Sequence, residues 1–156
     1  EIENTAARAW RSAAQAWTSG PQDSPVLSPQ TTADSAELAG PALRTFFRIA
    51  EAWQLDPDEA RRMLGDPPRS TFFLWKRTGE GRLSRDTLER VSYVLGIYKA
   101  LQILLPQTDA ADTWIRKPNA APLFGGRPAL ERMLSGNVAD LYVVRQYLDA
   151  QRGGWS

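Results

Sequence analysis

Cysteine and histidine are both missing from the 156 residues. Without cysteine there is no disulfide scaffold and no thiolate metal site. Without histidine, most zinc sites and the commonest acid–base catalyst are also excluded. Carboxylate-only Mg²⁺ or Ca²⁺ sites pass that filter, but no D-x-D-x-D-G loop occurs. The chain also lacks G-x-S-x-G, S-x-x-K and P-loop patterns. An enzyme built from it would rest on Asp, Glu, Ser, Lys or Tyr alone, so the expectation is no catalytic residue, no metal and no cofactor. Apolar runs are short and interrupted by charge, so no membrane span is expected. There is no charged–apolar–small leader at the start. The first residue is not methionine, which leaves room for residues upstream, and a cytoplasmic location is the default expectation.

What is present is ordinary for a soluble helical protein: 42% apolar and 24% charged residues, enough to bury a core. The net charge of +1 hides a segregation. Residues 1–39 carry −3, residues 40–106 carry +3 and residues 107–156 carry +1. Within 61–85, Arg61, Arg62, Arg69, Lys76, Arg77, Arg82 and Arg85 face only Asp66 and Glu80.

Apolar periodicity divides the chain into helices. At the N-terminus Ala6, Trp10, Ala13 or Ala14, and Trp17 form one stripe, which must dock on the chain's own body or on a second subunit. Pro21, Pro25 and Pro29 among small polar residues then read as an extended linker, so 1–39 is an N-terminal arm. From Gly40 the pattern turns helical, with Leu43, Phe46 or Phe47, Ala50 and Trp53 on one side. Asp56, Pro57 and Glu59 form a compact helix-start signal, and Gly65 is its stop. A short helix follows Asp66–Pro67–Pro68 and ends at Gly79. Ser84 caps a long helix with Leu88, Val91, Leu95, Tyr98 or Lys99, and Leu101 or Gln102 along one face, which Pro106 closes. The last third reads as separable: a short helix or turn in "TDAADTWIRKP", a Pro- and Gly-rich loop, a helix begun by Pro128 and stopped by Gly136, and a final helix after Asn137. No segment alternates long enough to be a strand. The expected fold is all-α, with at most a short extended piece in the loop.

The two short basic helices fit a helix-turn-helix, a motif that lays its second helix in the major groove. On that reading Arg69, Ser70 and Thr71 reach bases or flanking phosphates, while Lys76, Arg77, Arg82 and Arg85 mostly neutralise phosphates. At least two of Phe72, Phe73 and Trp75 must form its core side. Solvated helices carrying arginines are the plain alternative. In the last third, Phe124 reads as a compact apolar knob on a stiff loop. Arg116, Lys117 and Asn119 beside it can pair with carboxylates or a phosphate-seeking pocket. Arg145, Arg152 and Trp155 are interface-anchor residue types. Trp114 and Phe124 equally suit core positions.

The string from Trp114 through "RKPNAAPLFGGRPALERMLSG" to Trp155 resembles the C-terminal module of Xre/MbcA/ParS-type antitoxins. Trp114, Pro118, Asn119, Phe124, Gly126, Pro128, Leu130, Gly136, Val144 and Leu148 carry the resemblance. Residues 40–106 look like the family's Xre-like helix-turn-helix and dimerisation region, and the first 39 fall outside it. The resemblance implies a toxin-binding module over 107–156, with Trp114, Arg116, Lys117, Asn119, Phe124, Arg145, Arg152 and Trp155 as candidate contacts. It implies a RES-domain toxin, an NAD⁺-consuming enzyme, as partner, and operator DNA as the second ligand of an autorepressor. The expected assembly is a homodimer within a hetero-oligomer, with Leu95, Tyr98, Leu101 or the N-terminal tryptophans as candidate seams. The competing reading is a stand-alone DNA-binding regulator whose C-terminal half only dimerises. The stiff Asp66–Pro67–Pro68 turn is the departure from the family pattern.

Overall fold

A computed structural model describes residues 29–153, with side-chain environments from residue 39 onward. Trp10, Trp17 and Trp155 lie outside the described residues. Within them run seven α-helices and one 3-10 turn. They are α1 (Pro29–Ala52), α2 (Pro57–Met63), α3 (Arg69–Thr78), α4 (Arg85–Leu104), α5 (Thr108–Thr113), the turn Trp114–Arg116, α6 (Ala129–Met133) and α7 (Val138–Gly153). The fold is therefore all-α, and the expected extended piece is a single antiparallel bridge between Pro118 and Pro128.

The local start and stop signals act as the sequence suggests. Asp56 caps α2 by accepting from the Glu59 amide at 2.8 Å, and Glu59 accepts in return from the Asp56 amide at 3.0 Å. Ser84 accepts from the Thr87 amide at 3.1 Å to open α4. Gly79 ends α3 at φ 68°, and it is held there sterically as well. A Cβ at that position would lie 2.7 Å from Arg44 Cγ, and Arg44 donates to the Gly79 carbonyl at 3.2 Å.

α1 departs from expectation. It begins at Pro29, inside the segment read as linker, and runs through Gly40 and Pro41. Pro29 suits a first helical position, where its missing N–H is unneeded. Pro41 removes one ladder bond, but its carbonyl accepts from the Thr45 hydroxyl at 2.9 Å. Ala39, Ala42, Leu43 and Phe46 are all buried below it. Tertiary burial outweighs the local breaker, and only the breaker is visible in sequence.

α4 is the central element. It packs on α1 on one side and, most extensively, on α7 on the other. Two neighbours explain why its buried face is wider than one stripe: Thr87, Arg90, Val91, Val94, Ile97, Tyr98, Ala100 and Leu101 all point inward. Tyr98 and Leu101, candidate dimer seams in the sequence, are interior residues of this chain, leaving Leu95 of that trio partly exposed. The buried set continues from Leu43 of α1 to Leu148 of α7 without a break. The boundary near 107 separates sequence patterns; it does not divide the core.

The α4–α5 junction yields a prediction. Asp112 accepts from the Gln102 side chain at 3.1 Å. Burial pushes its carboxyl above the usual range, against the lowering effect of that bond, and the Asp109 charge pushes the same way. A raised folded-state pKa means that the folded chain binds the proton more tightly. Stability therefore falls as pH rises from the ordinary carboxylate range through the folded value, and it stays lower above. Asp112→Asn keeps the acceptor without the charge. It should raise the urea midpoint at neutral pH, with the gain vanishing in acid where Asp112 is already protonated.

Candidate functional site

Two surfaces gather the residues singled out by sequence. The first is the α2–α3 hairpin. Its turn is fixed by two consecutive left-handed residues, Gly65 at φ 92° and Asp66 at φ 56°. The Asp66 amide closes onto the Arg61 carbonyl at 3.0 Å, and Arg61 Nη1 donates to the Pro67 carbonyl at 3.0 Å. The stiff turn is thus built into the hairpin and leaves α3 well formed. Phe72 and Trp75 are buried, as at least two of the three aromatics had to be. Ser70, Lys76, Arg77, Arg82 and Arg85 are exposed, and Thr71 is half-buried. Arg69 lies 3.3 Å from Asp58, but both are so exposed that the pair contributes little. Lys76, Arg77, Arg82 and Arg85 enter no ion pair among the described residues. The first turn of α3 carries no acidic side chain and no side-chain cap, so its amide dipoles stay available to an anion.

The second surface is the loop 117–128 with the helices that hold it. The loop is pinned by its own backbone. The Asn119 amide donates to the Arg127 carbonyl at 3.2 Å, and the Gly126 amide donates to the Asn119 carbonyl at 2.8 Å. The Asn119 side chain accepts from the Ala121 amide at 2.9 Å. Arg132 donates to the Leu123 carbonyl at 2.8 Å and, through Nε, to Asp140 at 3.0 Å. The Ser135 hydroxyl donates to Asp140 at 2.6 Å. That bond, with Arg132 alongside, holds the Asp140 carboxyl below its usual range. Gly125 and Gly126 take φ of 60° and 84°, with open space where a Cβ would stand, so backbone conformation alone demands glycine there.

Several sequence-selected side chains are engaged within this chain. Phe124, read either as an apolar knob or as a core residue, is 6% exposed. Its ring meets Trp114 edge-on at 5.9 Å and Tyr147 edge-on at 5.3 Å. The Phe124 amide donates to the Ala121 carbonyl within the tight loop turn, which carries its side chain inward. Arg116, expected to pair with a partner's acid, instead donates to the Trp53 carbonyl at 3.0 and 3.1 Å and to the Gln54 carbonyl at 2.7 Å. Those carbonyls are the orphans at the end of α1. Asn119 likewise braces its own loop. The accessible candidates are Lys117, the half-exposed faces of Trp114 and Tyr147, and the arginines of α7. Arg145 and Arg152 flank Asp149 at 3.5 and 3.7 Å. All three line an open groove of about 680 Å³ with Ile103 and Leu104, on the opposite flank of α7 from Tyr147. Tyr147 was missed in the sequence because one tyrosine on an amphipathic helix carries no signal; its stacking on Trp114 at 6.5 Å appears only in three dimensions.

The structure thus sets a basic two-helix hairpin with a tight turn ahead of a self-pinned loop and helix, the arrangement of a helix-turn-helix followed by a second helical module. Comparison with known families makes the class specific. Residues 32–96 match the antitoxin Xre-like helix-turn-helix domain, and residues 100–154 match the antitoxin Xre/MbcA/ParS C-terminal toxin-binding domain. The chain belongs to the Xre-type antitoxins. It is 52% identical over 130 residues to the uncharacterized protein y4oB of Sinorhizobium fredii (strain NBRC 101917 / NGR234), across 83% of this chain and 98% of that protein. The helix-turn-helix match begins within α1, upstream of the boundary drawn at residue 40. Among the described residues, no helix is long and apolar enough to cross a membrane.

Proposed function

We propose that this antitoxin binds and blocks a RES-type, NAD⁺-consuming toxin through residues of the C-terminal module, and that its α2–α3 hairpin binds operator DNA as an autorepressor. The observation that carries the first half is the rigidity of the 117–128 loop, whose backbone bonds close on themselves. A surface already ordered before binding gives up little conformational entropy when it docks. The supporting frame is Arg116, Asn119 and Phe124. The contact surface is Lys117, the open edges of Trp114 and Tyr147, and the arginines Arg145 and Arg152 on the far flank of α7. No reaction is assigned to the chain itself. Co-expression with a RES-type enzyme tests this directly: the two should co-purify, and NAD⁺ loss by the enzyme should stop. An enzyme that stays active and uncaptured would favour the stand-alone regulator.

The second half rests on the unpaired cations of α3 and the stretch of chain after it. Lys76→Ala or Arg77→Ala should weaken binding to all duplexes alike. The slope of log K against log salt should flatten by about one unit for each phosphate that is no longer neutralised. Toxin neutralisation should survive, because neither side chain approaches the C-terminal module. Its collapse in a folded variant would contradict the division of labour. The expected homodimer belongs to this half as well, since helix-turn-helix proteins read paired half-sites.

A further inference from the structure

The polar and basic side chains of α3 account for phosphate binding and hydrogen bonding to bases, and they leave Phe73 and Leu74 without a role. Both stand on α3, 44% and 47% exposed, and they are two of only four large apolar side chains so exposed among the described residues. With Phe72 and Trp75 turned inward, a helix of about 3.6 residues per turn directs Ser70 and Arg77 straight outward. Phe73 and Leu74 then lie to either side of that line. Phe73 rests edge-on against the buried Phe72 ring, 5.2 Å between centroids at 75°, so it is presented on a fixed support.

An apolar pair at the crest of a helix is unfavourable in water and calls for a covering partner. Its surroundings indicate which kind. Lys76 and Arg77 of the same helix, with Arg82 and Arg85 just after it, carry no ion pair among the described residues. A protein seated on Phe73 and Leu74 would have to desolvate those cations, whereas a polyanion neutralises them. In the major groove the apolar group on offer is the C5-methyl of thymine, which phenylalanine and other apolar side chains contact. We infer that Phe73 and Leu74 read thymine methyl groups, and so add a sequence preference to the hydrogen-bond readout of the polar and basic side chains around them. The inference rests on the DNA-binding reading of the α2–α3 hairpin.

The test uses the full chain and a random-sequence duplex library prepared twice, once with thymine and once with uracil in its place. Selection from the first library should enrich duplexes with thymine at fixed positions. Uracil at one of those positions should weaken binding about fourfold, the equivalent of one CH₂-sized group left in water. Leu74→Asn, a change at an exposed helical site, should keep the salt slope and lose part of the thymine–uracil distinction. Equal affinity for thymine and uracil duplexes would overturn methyl reading while leaving DNA binding intact. A chain that binds no duplex even at low salt would overturn both readings. A Leu74→Asn protein with unchanged DNA selectivity and impaired self-association or toxin capture would assign this face to protein contact and overturn the inference.

Discussion

Phe124→Ala should lower the unfolding free energy by about 3–5 kcal/mol, the range for truncating a buried aromatic ring. The ring is almost fully covered and touches two other aromatics edge-on; such pairs add about 0.5–1.5 kcal/mol beyond area burial. Because the buried set is continuous from α1 to α7, the loss should appear in one cooperative urea transition covering both modules. Toxin capture should fall as well, through collapse of the loop that holds Lys117 and Gly125–Gly126 in place. Phe124→Leu separates support from contact. It keeps most of the volume, so it should cost under about 1.5 kcal/mol and leave capture nearly intact. An alanine variant with an unshifted urea midpoint would show that the ring is not core, and a leucine variant that is stable yet fails to capture toxin would return Phe124 to the interface.

That prediction turns on which features a sequence exposes. Signals that act over four residues were legible: the Asp56–Glu59 box, Gly65, Gly79 and Ser84 all mark helix ends in the structure. Binary patterning was legible too, since Leu43, Phe46 and Ala50 of α1, with Trp53 just past its end, do form one buried stripe. The start of α1 was not, because Gly40–Pro41 is a strong local breaker and the packing that overrides it comes from helices far along the chain. The internal bonds of Arg116 were hidden for the same reason, and sequence alone left Phe124 open between knob and core. Arg116 finds its carbonyls 62 and 63 residues away, a separation at which no spacing rule operates. Residue type did mark both positions as unusual. What it could not supply was the direction of the side chain, and direction separates a contact from a brace.

Electrostatics divides the chain in the same way. The basic excess of 61–85 includes side chains with internal tasks, such as Arg61 at the hairpin turn, and side chains left open, such as Lys76 and Arg77. Only the open ones can release counterions on binding a duplex, so the salt slope should reflect fewer phosphates than the sequence total of basic residues suggests. Arg90 is the extreme internal case. It is 9% exposed, bonds Asp86 at 2.8 Å and the Gly136 carbonyl at 2.9 Å, and ties the long helix to the start of α7. Arg90 and Arg116, beside the Gln102–Asp112 bond, are therefore polar links between the helix-turn-helix region and the C-terminal module.

Arg116→Ala tests the second of those links, and its expected cost is about 1.5–3 kcal/mol, the value of a hydrogen bond to a charged group. The three bonds should not add in full, because the side chain remains 38% exposed. The cost arises at the end of α1, where Gln54 adopts φ 55° without being glycine. The guanidinium stabilises that left-handed turn by binding both of its free carbonyls, as a basic side chain can at a helix C-terminus. Arg116→Lys should lose most of the benefit, since a single ammonium lacks the planar fork. Gln54→Gly in the alanine background should recover up to about 1 kcal/mol by relieving the backbone. Arg116 also lies 3.6 Å from Glu59, the acid that closes the α2 cap, so its loss should loosen the DNA hairpin together with the toxin module. Both affinities should then decline with the unfolding midpoint, and Gln54→Gly should restore both in part. If Arg116→Ala abolished toxin capture while its urea curve and duplex affinity matched the parent chain, the guanidinium would belong to the interface and the brace between the two modules would lie with Arg90 and the Gln102–Asp112 bond.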